Sequence, residues 1–486
     1  MYKPTTINFS TSLNTNLIQK KTKIVATLGP ATDTPEKIQE LLEKGVNIVR
    51  FNTKHNTYEW HKEKILLVRD ISKKINKPVG VLVDLQGPDI RVVDIKTDPL
   101  DLVEGSIITI GFSKNQDITI DKKIVEKIEV GQKLVIDDGK HSFETVKKHS
   151  DYVECKVIEG GTMGNKKGVF FPGLKVDIPA LTKRDIEFLK LCKEINAEYC
   201  ALSFVRTAED VFHLKNELEK VNNFTTNIIS KIETMQAIDN IDEIIEASDA
   251  LMVARGDLAV EVPMEAVPII QKKLIKKMIY ATKPVIVATQ MLKSMIENQL
   301  PTRAEISDVA NASFDGADAV MLSEESAIGK HALKAVSIMA RTIKYNEMES
   351  LMVNQSANIK IDTPVKAIVC AAEEFEKLLV KANLNPKFFI VLTSSGKTAK
   401  LLSSTRPSLP IYAFCPDSHG ANLLSLSWGV TSFNIEFEKT ITQTLTKAGN
   451  FLIKNNLANK GDMAIVISGQ NIGHPGHTDS IRYYEV

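Results

Sequence analysis

The sequence predicts an α/β fold: a (β/α)8 TIM barrel with an inserted all-β domain and a C-terminal α/β domain. Three observations predict it. Eight short β-branched runs recur along the chain, most of them separated by amphipathic stretches of helical period. That alternation fails between about Arg91 and Lys175, where short alternating runs and glycine turns take over. Beyond Tyr345 a polar stretch leads into a second, shorter series of helix and strands. A length of 486 residues, at ~150 residues per domain, agrees with roughly three domains. A hydrophobic content of 43% suffices for a core in each.

The eight runs, in order, are Ile24–Leu28, Asn47–Phe51, Val79–Leu85, Tyr199–Phe204, Asn227–Ile232, Ala250–Ala254, Pro284–Thr289 and Ala319–Ser323. Between them lie helix-like segments such as PEKIQELLEKG from Pro35 and TKRDIEFLKLCKEI from Thr182, the second resembling a capping-box start in Thr182 and Asp185. Eight strands with helical returns fit a closed barrel better than an open sheet. The irregular segment carries SIITIG, KLVIDDG and YVECKVIEGG, with no convincing helix. It reads as a separate all-β domain inserted between the third strand and the next helix. After the polar linker MESLMVNQSANIKIDTP come helix Val365–Ala382 and strands Phe388–Leu392, Ile411–Phe414 and Met463–Ser468. The expected organisation is a split barrel over 1–90 and 175–345, with 1–20 as a polar tail, an insert over 91–174 and a C-terminal domain over 360–486.

Sixty-one basic against 60 acidic side chains leave a net charge of +1, so no bulk field recruits nucleic acid or anionic membrane. Any bound phosphate must be held by a local cluster. The five cysteines form no CxxC pair and are odd in number, which argues against a disulfide frame or zinc site and for free thiols in a reducing compartment. The start MYKPTTINFSTSLNTNLIQKK has no apolar core, and no run of about 18 apolar residues exists. A cytoplasmic protein with no membrane partner is expected.

In such a barrel the active site lies at the carboxyl ends of the strands. The first run ends in Gly29-Pro30, the second carries Arg50, Asn52, Lys54 and His55, and the third ends in Asp84. The fifth carries Lys231 and Glu233, and the sixth leads into Arg255-Gly256-Asp257. Thr289-Gln290 and Ser323-Glu324-Glu325 follow the seventh and eighth. Each charge alone is compatible with a structural ion pair; together they read as an active site. Lys231 and Glu233 are two apart and so share one side of a strand. Glu233 and Asp257 offer all-oxygen ligands to one hard divalent ion, Mg²⁺ or Mn²⁺. Arg50 and Lys231 are cations suited to an anionic substrate, a phosphoryl group being the natural candidate. The competing reading is an ion-pair network lining the barrel mouth. No Cys/His or GxSxG constellation supports covalent nucleophilic chemistry.

Other motifs carry less. Arg255-Gly256-Asp257 spells an adhesion tripeptide at an intracellular strand end, where that role has no meaning. Gly396-Lys397-Thr398 imitates the end of a P-loop, but the upstream glycine position holds Val391. Thr393-Ser394-Ser395-Gly396 reads either as an anion nest or as a plain helix cap. His55 with His61, and His474 with His477, lack partners at zinc spacing.

These residues sit in a recognisable series of stretches. They are KTKIVATLGPAT from Lys21, GVNIVRFN, DLQGPDIR, NKKGVFFPGLKVDIPALTKRD, ALSFVR, IISKIET and LMVARGDLAVEVP. KPVIVATQML, PTRAEISDVANA, MLSEES, VLTSSGKTAKLLSSTRP and GDMAIVISG complete it. The series resembles the pyruvate kinase family nearly from end to end. The resemblance implies a barrel with a β-barrel lid and a C-terminal α/β domain, assembled as a homotetramer. It implies Mg²⁺-dependent (or Mn²⁺-dependent) phosphoryl transfer from phosphoenolpyruvate to ADP, giving pyruvate and ATP. Glu233 and Asp257 then resemble the metal ligands, Lys231 the stabiliser of the migrating phosphoryl group and Arg50 the holder of its oxygens. Gly256, Asp257 and Thr289 would receive the substrate carboxylate or bridging metal. Arg91, Lys167, Asn52 and His55 fall on the nucleotide side. Thr289, a bound water and the Ser323/Glu325 cluster are the proton-relay candidates. A sugar-phosphate effector would find its site at Thr393, Ser394, Ser395, Gly396, Lys397 and Thr398.

The departures are as informative. Where the family binds K⁺ through an Asn-x-Ser pair, an Asp and the next Thr carbonyl, Asn52 and Asp84 remain but Lys54 and Leu85 replace the other two. Gln86 stands for a lysine, Asp89 for a glutamate and Glu324 for a glycine. A Lys54 ammonium beside Asp84 would repel K⁺ and supply its charge, so K⁺-independent catalysis is expected, with Asn52, Asp84 and Leu85 as a residual cation site. Two rivals are a Mg²⁺-dependent phosphoenolpyruvate or oxo-acid lyase or aldolase, which has no use for Arg91 and Lys167, and an inactive regulatory homologue, which has no use for Lys231, Glu233, Asp257 and Thr289.

Overall fold

The computed structural model describes residues 20–137, 139–174, 178–349, 359–469 and 478–486. The linker segment 350–358 and the His474/His477 pair lie outside the described residues. Eight strands, Lys23–Thr27, Ile48–Asn52, Gly80–Asp84, Tyr199–Leu202, Asn227–Ile232, Ala250–Ala254, Val285–Ala288 and Ala319–Leu322, close into a parallel barrel. The first pairs with the eighth through Lys23–Ala319 and with the second through Val25–Ile48. Each expected run is therefore a strand; the fifth and sixth keep their expected bounds, and the others shift by no more than two residues at an end. Side-chain alternation divides the runs. Val25, Ile48, Leu82, Tyr199, Ile229 and Met252 fill the barrel. Ile24, Ala26, Val49 and Phe51 face the surrounding helices.

Caps fix where those helices start. Thr182 accepts from Asp185 N while Asp185 accepts from Thr182 N, the reciprocal box that its sequence suggested. Thr302 and Glu305 form a second box at helix Arg303–Phe314.

The insert leaves the barrel after the third strand and returns before helix Lys183–Glu194. It is a seven-stranded mixed sheet, with a further two-stranded pair, curled around Ile110, Ile118, Leu134, Phe143 and Val153. Its ends meet at a bridge between Arg91 and Gly168, so curling and not a continuous ladder encloses the core. The insert also contains one short helix, Lys122–Val125, that its sequence did not announce.

The C-terminal sheet runs Val430–Asn434, Ile411–Cys415, Phe388–Leu392, Met463–Ser468, Ser480–Glu485, with only the last strand antiparallel. This domain caps the amino end of the barrel. Lys23 Nζ, at the start of the first strand, donates to Val430 O at 2.6 Å. Asp318, just before the eighth strand, holds Arg406 at 2.9 Å. Glu198, just before the fourth, accepts from Asn422 at 3.2 Å. The carboxyl end is left for chemistry.

Candidate active site

Three strand ends converge on one ammonium. Lys231, on the fifth strand, donates to Ser203 Oγ at 2.8 Å and pairs with Glu233 at 2.9 Å and Asp84 at 3.5 Å. Residues two apart on a strand share a face, and here they touch. Burial works to lower the Lys231 pKa, but the Asp84 and Glu233 charges outweigh it and raise it, so the ammonium stays charged. Arg50, from the second strand, donates to Asp84 Oδ2 at 2.6 Å and to Thr27 Oγ1 at 2.8 Å. Burial alone would raise the Asp84 pKa; Lys231 and Arg50 instead hold it below the ordinary carboxylate value.

Glu233 Oε2 accepts from Phe204 N at 2.6 Å, and Phe204 adopts a φ of 53° to present that N–H. Asp257 lies in the first turn of helix Arg255–Glu261, directly after the sixth strand rather than on it. Its charge acts on Lys231, which places it on the same side of the mouth. Gly256 N donates to Thr289 Oγ1 at 2.7 Å. Thr289 has a φ of 70°, costly for a β-branched residue, and Gln290 follows at 56°. Arg255 locks this corner by gripping Asp308 at 2.7 and 2.8 Å and the Thr289 carbonyl at 2.8 Å.

At the eighth strand Glu325 accepts from Leu292 N at 3.2 Å and Ser323 N at 2.8 Å. It ties two strand ends together, and both its oxygens are engaged. Glu324 faces solvent.

The nucleotide-side residues lie along the approach to the insert. Lys54 Nζ pairs with Asp89 at 2.7 Å, and Arg91 Nε pairs with the same oxygen at 2.8 Å. The expected partner of Lys54 was Asp84; that carboxylate is buried behind Arg50, while Asp89 faces the open approach. Lys167 pairs with Asp137 within the insert at 3.1 Å. His55 is exposed, and partial burial followed by the Lys54, Arg50 and Arg91 charges pushes its pKa down. Asn52 Oδ1 accepts from Lys54 N at 3.1 Å, and Leu85 O accepts from Ser203 Oγ at 2.7 Å.

In the C-terminal domain Gly396, at a φ of 76°, opens helix Lys397–Ser404; Thr393 and Thr398 are buried, and Thr398 contacts Thr478 at 2.7 Å. Ser203, Phe204 and Asp308 belong to the constellation without having been singled out in the sequence. The strand-end rule reaches the first two, since they close the fourth run; Asp308 is far in sequence from the Arg255 it holds and leaves no local signal.

Residues 19–336 match the family described as pyruvate kinase, barrel domain, and residues 378–483 its alpha/beta domain. The chain belongs to the pyruvate kinase family. A pyruvate kinase from Geobacillus stearothermophilus is 36% identical over 483 residues, covering 96% of this chain and 81% of that protein. One from Thermotoga maritima is 38% identical over 472 residues, covering 96% and 100%. The crystal structure of a pyruvate kinase from Cryptosporidium parvum superposes with a TM-score of 0.89 at 31% identity, covering 96% of each chain.

As a pyruvate kinase, the protein transfers the phosphoryl group of phosphoenolpyruvate to ADP, giving pyruvate and ATP. The lyase, aldolase and inactive-homologue readings give way to that one. Pyruvate kinases use a divalent cation. Among the described residues no group of three or more His, Cys, Asp or Glu is arranged to hold a metal. Two carboxylates, Glu233 and Asp257, at one mouth still fit a hard ion whose other positions go to substrate oxygens and water. No helix among the described residues is long and apolar enough to cross a membrane.

Proposed function

We propose that this pyruvate kinase works without K⁺, the Lys54 ammonium paired with Asp89 supplying the monovalent charge. The carrying observation is that 2.7 Å pair at the entrance to the insert. The oxygens that would hold a monovalent ion support it, since Asn52 Oδ1, Asp84 Oδ2 and Leu85 O already accept hydrogen bonds from Lys54 N, Arg50 and Ser203. A charge fixed by the chain costs no ion-binding entropy and is present whatever the salt.

Arg50 and Lys231 grip the phosphoryl oxygens and neutralise the charge that develops during transfer. Glu233 and Asp257 hold the divalent ion, which when bound supplies Lewis-acid polarisation of the phosphoryl oxygens. Gly256 and Thr289 seat the substrate carboxylate. Arg91 and Lys167 meet the nucleotide phosphates as the insert folds over the mouth and excludes water. Thr289 or a water beside it returns the proton to enolpyruvate, because Glu325 is committed to backbone N–H groups.

Coupled assay of pyruvate formation in tetramethylammonium and in K⁺ buffer tests the proposal. Rates within about twofold are expected in the two salts, and Lys54→Ser is expected to create a K⁺ requirement. Strong activation of the parent protein by K⁺ would sink the idea. Lys231→Met is expected to lower kcat by roughly 10²–10³-fold, as for loss of one transition-state donor.

By likeness to the family, the active form is a homotetramer and the Thr393–Thr398 loop takes a sugar phosphate. Sedimentation velocity and calorimetric titration with sugar phosphates check these; a monomer, or no heat, removes them.

A further inference from the structure

The loop that follows the second strand is held largely through its own carbonyls. Thr53 anchors its start, donating through N and Oγ1 to Asp84 O at 3.0 and 2.9 Å. Beyond it Lys54, His55 and Asn56 are exposed, and Asn56 turns the chain with a φ of 60°. Fixed donors nonetheless take the carbonyls of this turn. Arg184 Nε donates to Thr53 O at 2.7 Å, and Arg184 Nη2 donates to Asn56 O at 2.6 Å. His61 Nε2 lies 2.9 Å from His55 O, and since a carbonyl only accepts, that nitrogen carries the proton. The Arg184 guanidinium lies 5.1 Å over the Phe188 ring, which meets the buried His61 edge-on at 5.2 Å between centroids.

Arg184 is the second residue of helix Lys183–Glu194, the first helix after the insert rejoins the barrel. Its fork therefore ties the point of return to the loop that carries Lys54 and His55. Asn56 is exposed, so water would satisfy its carbonyl; a guanidinium there sets geometry rather than rescuing a buried acceptor. We propose that Arg184 is a positioning residue for nucleotide use: its two hydrogen bonds fix the turn so that Lys54 and His55 face the approach to the insert in one arrangement. This rests on the reading that both lie on the nucleotide side, with Lys54 as the fixed monovalent charge. Arg184 acts only through the turn. Because it opens the helix behind the insert, the turn and the base of the insert share one anchor. Lys54 and Arg91, which meet on Asp89 at 2.7 and 2.8 Å, are thereby kept in register.

Arg184→Met keeps an apolar stem over Phe188 and removes both donors. KM for ADP is expected to rise roughly fivefold or more while kcat stays within about twofold, because a loose turn costs nucleotide capture before it costs chemistry. Arg184→Lys, whose ammonium reaches one carbonyl at a time, should fall between Arg184→Met and the parent. The side chains of the turn supply the control. With Lys54 and His55 both replaced by Ala, Arg184→Met is expected to raise KM for ADP by less than about twofold further, since residues acting through one another do not add. Unchanged KM for ADP in Arg184→Met, or the same fold-rise with and without Lys54 and His55, overturns the proposal. If hydrogen exchange of the full chain rises across the whole barrel in Arg184→Met, Arg184→Lys decides in its place, and a parent-like KM for ADP there overturns it. Should the parent protein require K⁺, the fixed-charge reading fails, while the KM comparison still decides the role of Arg184.

Discussion

Asp84 sits between two cations with 1% of its side chain exposed, and the charge balance of the mouth depends on it. Removing it leaves Arg50 and Lys231 facing each other with Glu233 as their nearest remaining counter-charge. Asp84→Asn is therefore expected to cost about 3–5 kcal/mol, measured by urea unfolding at pH 7. The pH dependence follows from the direction of the shift. A carboxyl held below its unfolded value of about 3.9 contributes stability above that pH and loses it as pH falls through the lowered folded pKa. The deficit of Asp84→Asn should accordingly narrow only in acid, below about pH 4. Residue chemistry of this kind was legible in part. Spacing of two showed that Lys231 and Glu233 would share a face, and they pair. Nothing in sequence spacing tells which of several acids a flexible lysine will reach, and Lys54 went to Asp89.

Elements were the most legible scale. Apolar runs flanked by helical periods gave all eight barrel strands, because a strand buried on both faces must be apolar along its length. In the C-terminal sheet the strands left unread are Val430–Asn434 and Ser480–Glu485, an interrupted run and a half-exposed edge. Each lacks the continuous apolar signature that marks a central strand. Close approach between elements was also invisible. A Cβ on Gly29 would meet the Ala327 carbonyl at 2.6 Å, so the turn after the first strand packs flush against the helix after the eighth. Gly29→Ala must move backbone rather than a side chain, and is expected to destabilise by about 1–3 kcal/mol in thermal unfolding. The seam between first and last strands would open first, seen as faster exchange at Ala31, whose N–H bonds to Ala327 O.

At the scale of the whole molecule, the barrel is closed at its amino end by the C-terminal domain, and the insert leaves it at the other. Arg406 and Asp318 are both buried where domain and barrel meet. Asp318→Asn leaves that guanidinium without its counter-charge, and about 3–5 kcal/mol should be lost. Calorimetry should then show the C-terminal domain and the barrel melting as two separated transitions. A single transition at the parent temperature would show that the pair does not couple them.

The near-equal tally of 61 basic and 60 acidic residues excluded a bulk electrostatic partner, and the run pattern determined the barrel, its interruption and its C-terminal addition. The strand-end rule then marked the candidate site, and a long series of motifs pointed to the family. Tertiary structure decided which charges meet: Lys231 with Asp84 and Glu233, Lys54 with Asp89, Arg255 with Asp308, Glu325 with two backbone N–H groups. The reason is physical. Burial and period are local properties that a run of residues expresses by itself, whereas an ion pair depends on the distance between side chains that only closure of the barrel sets.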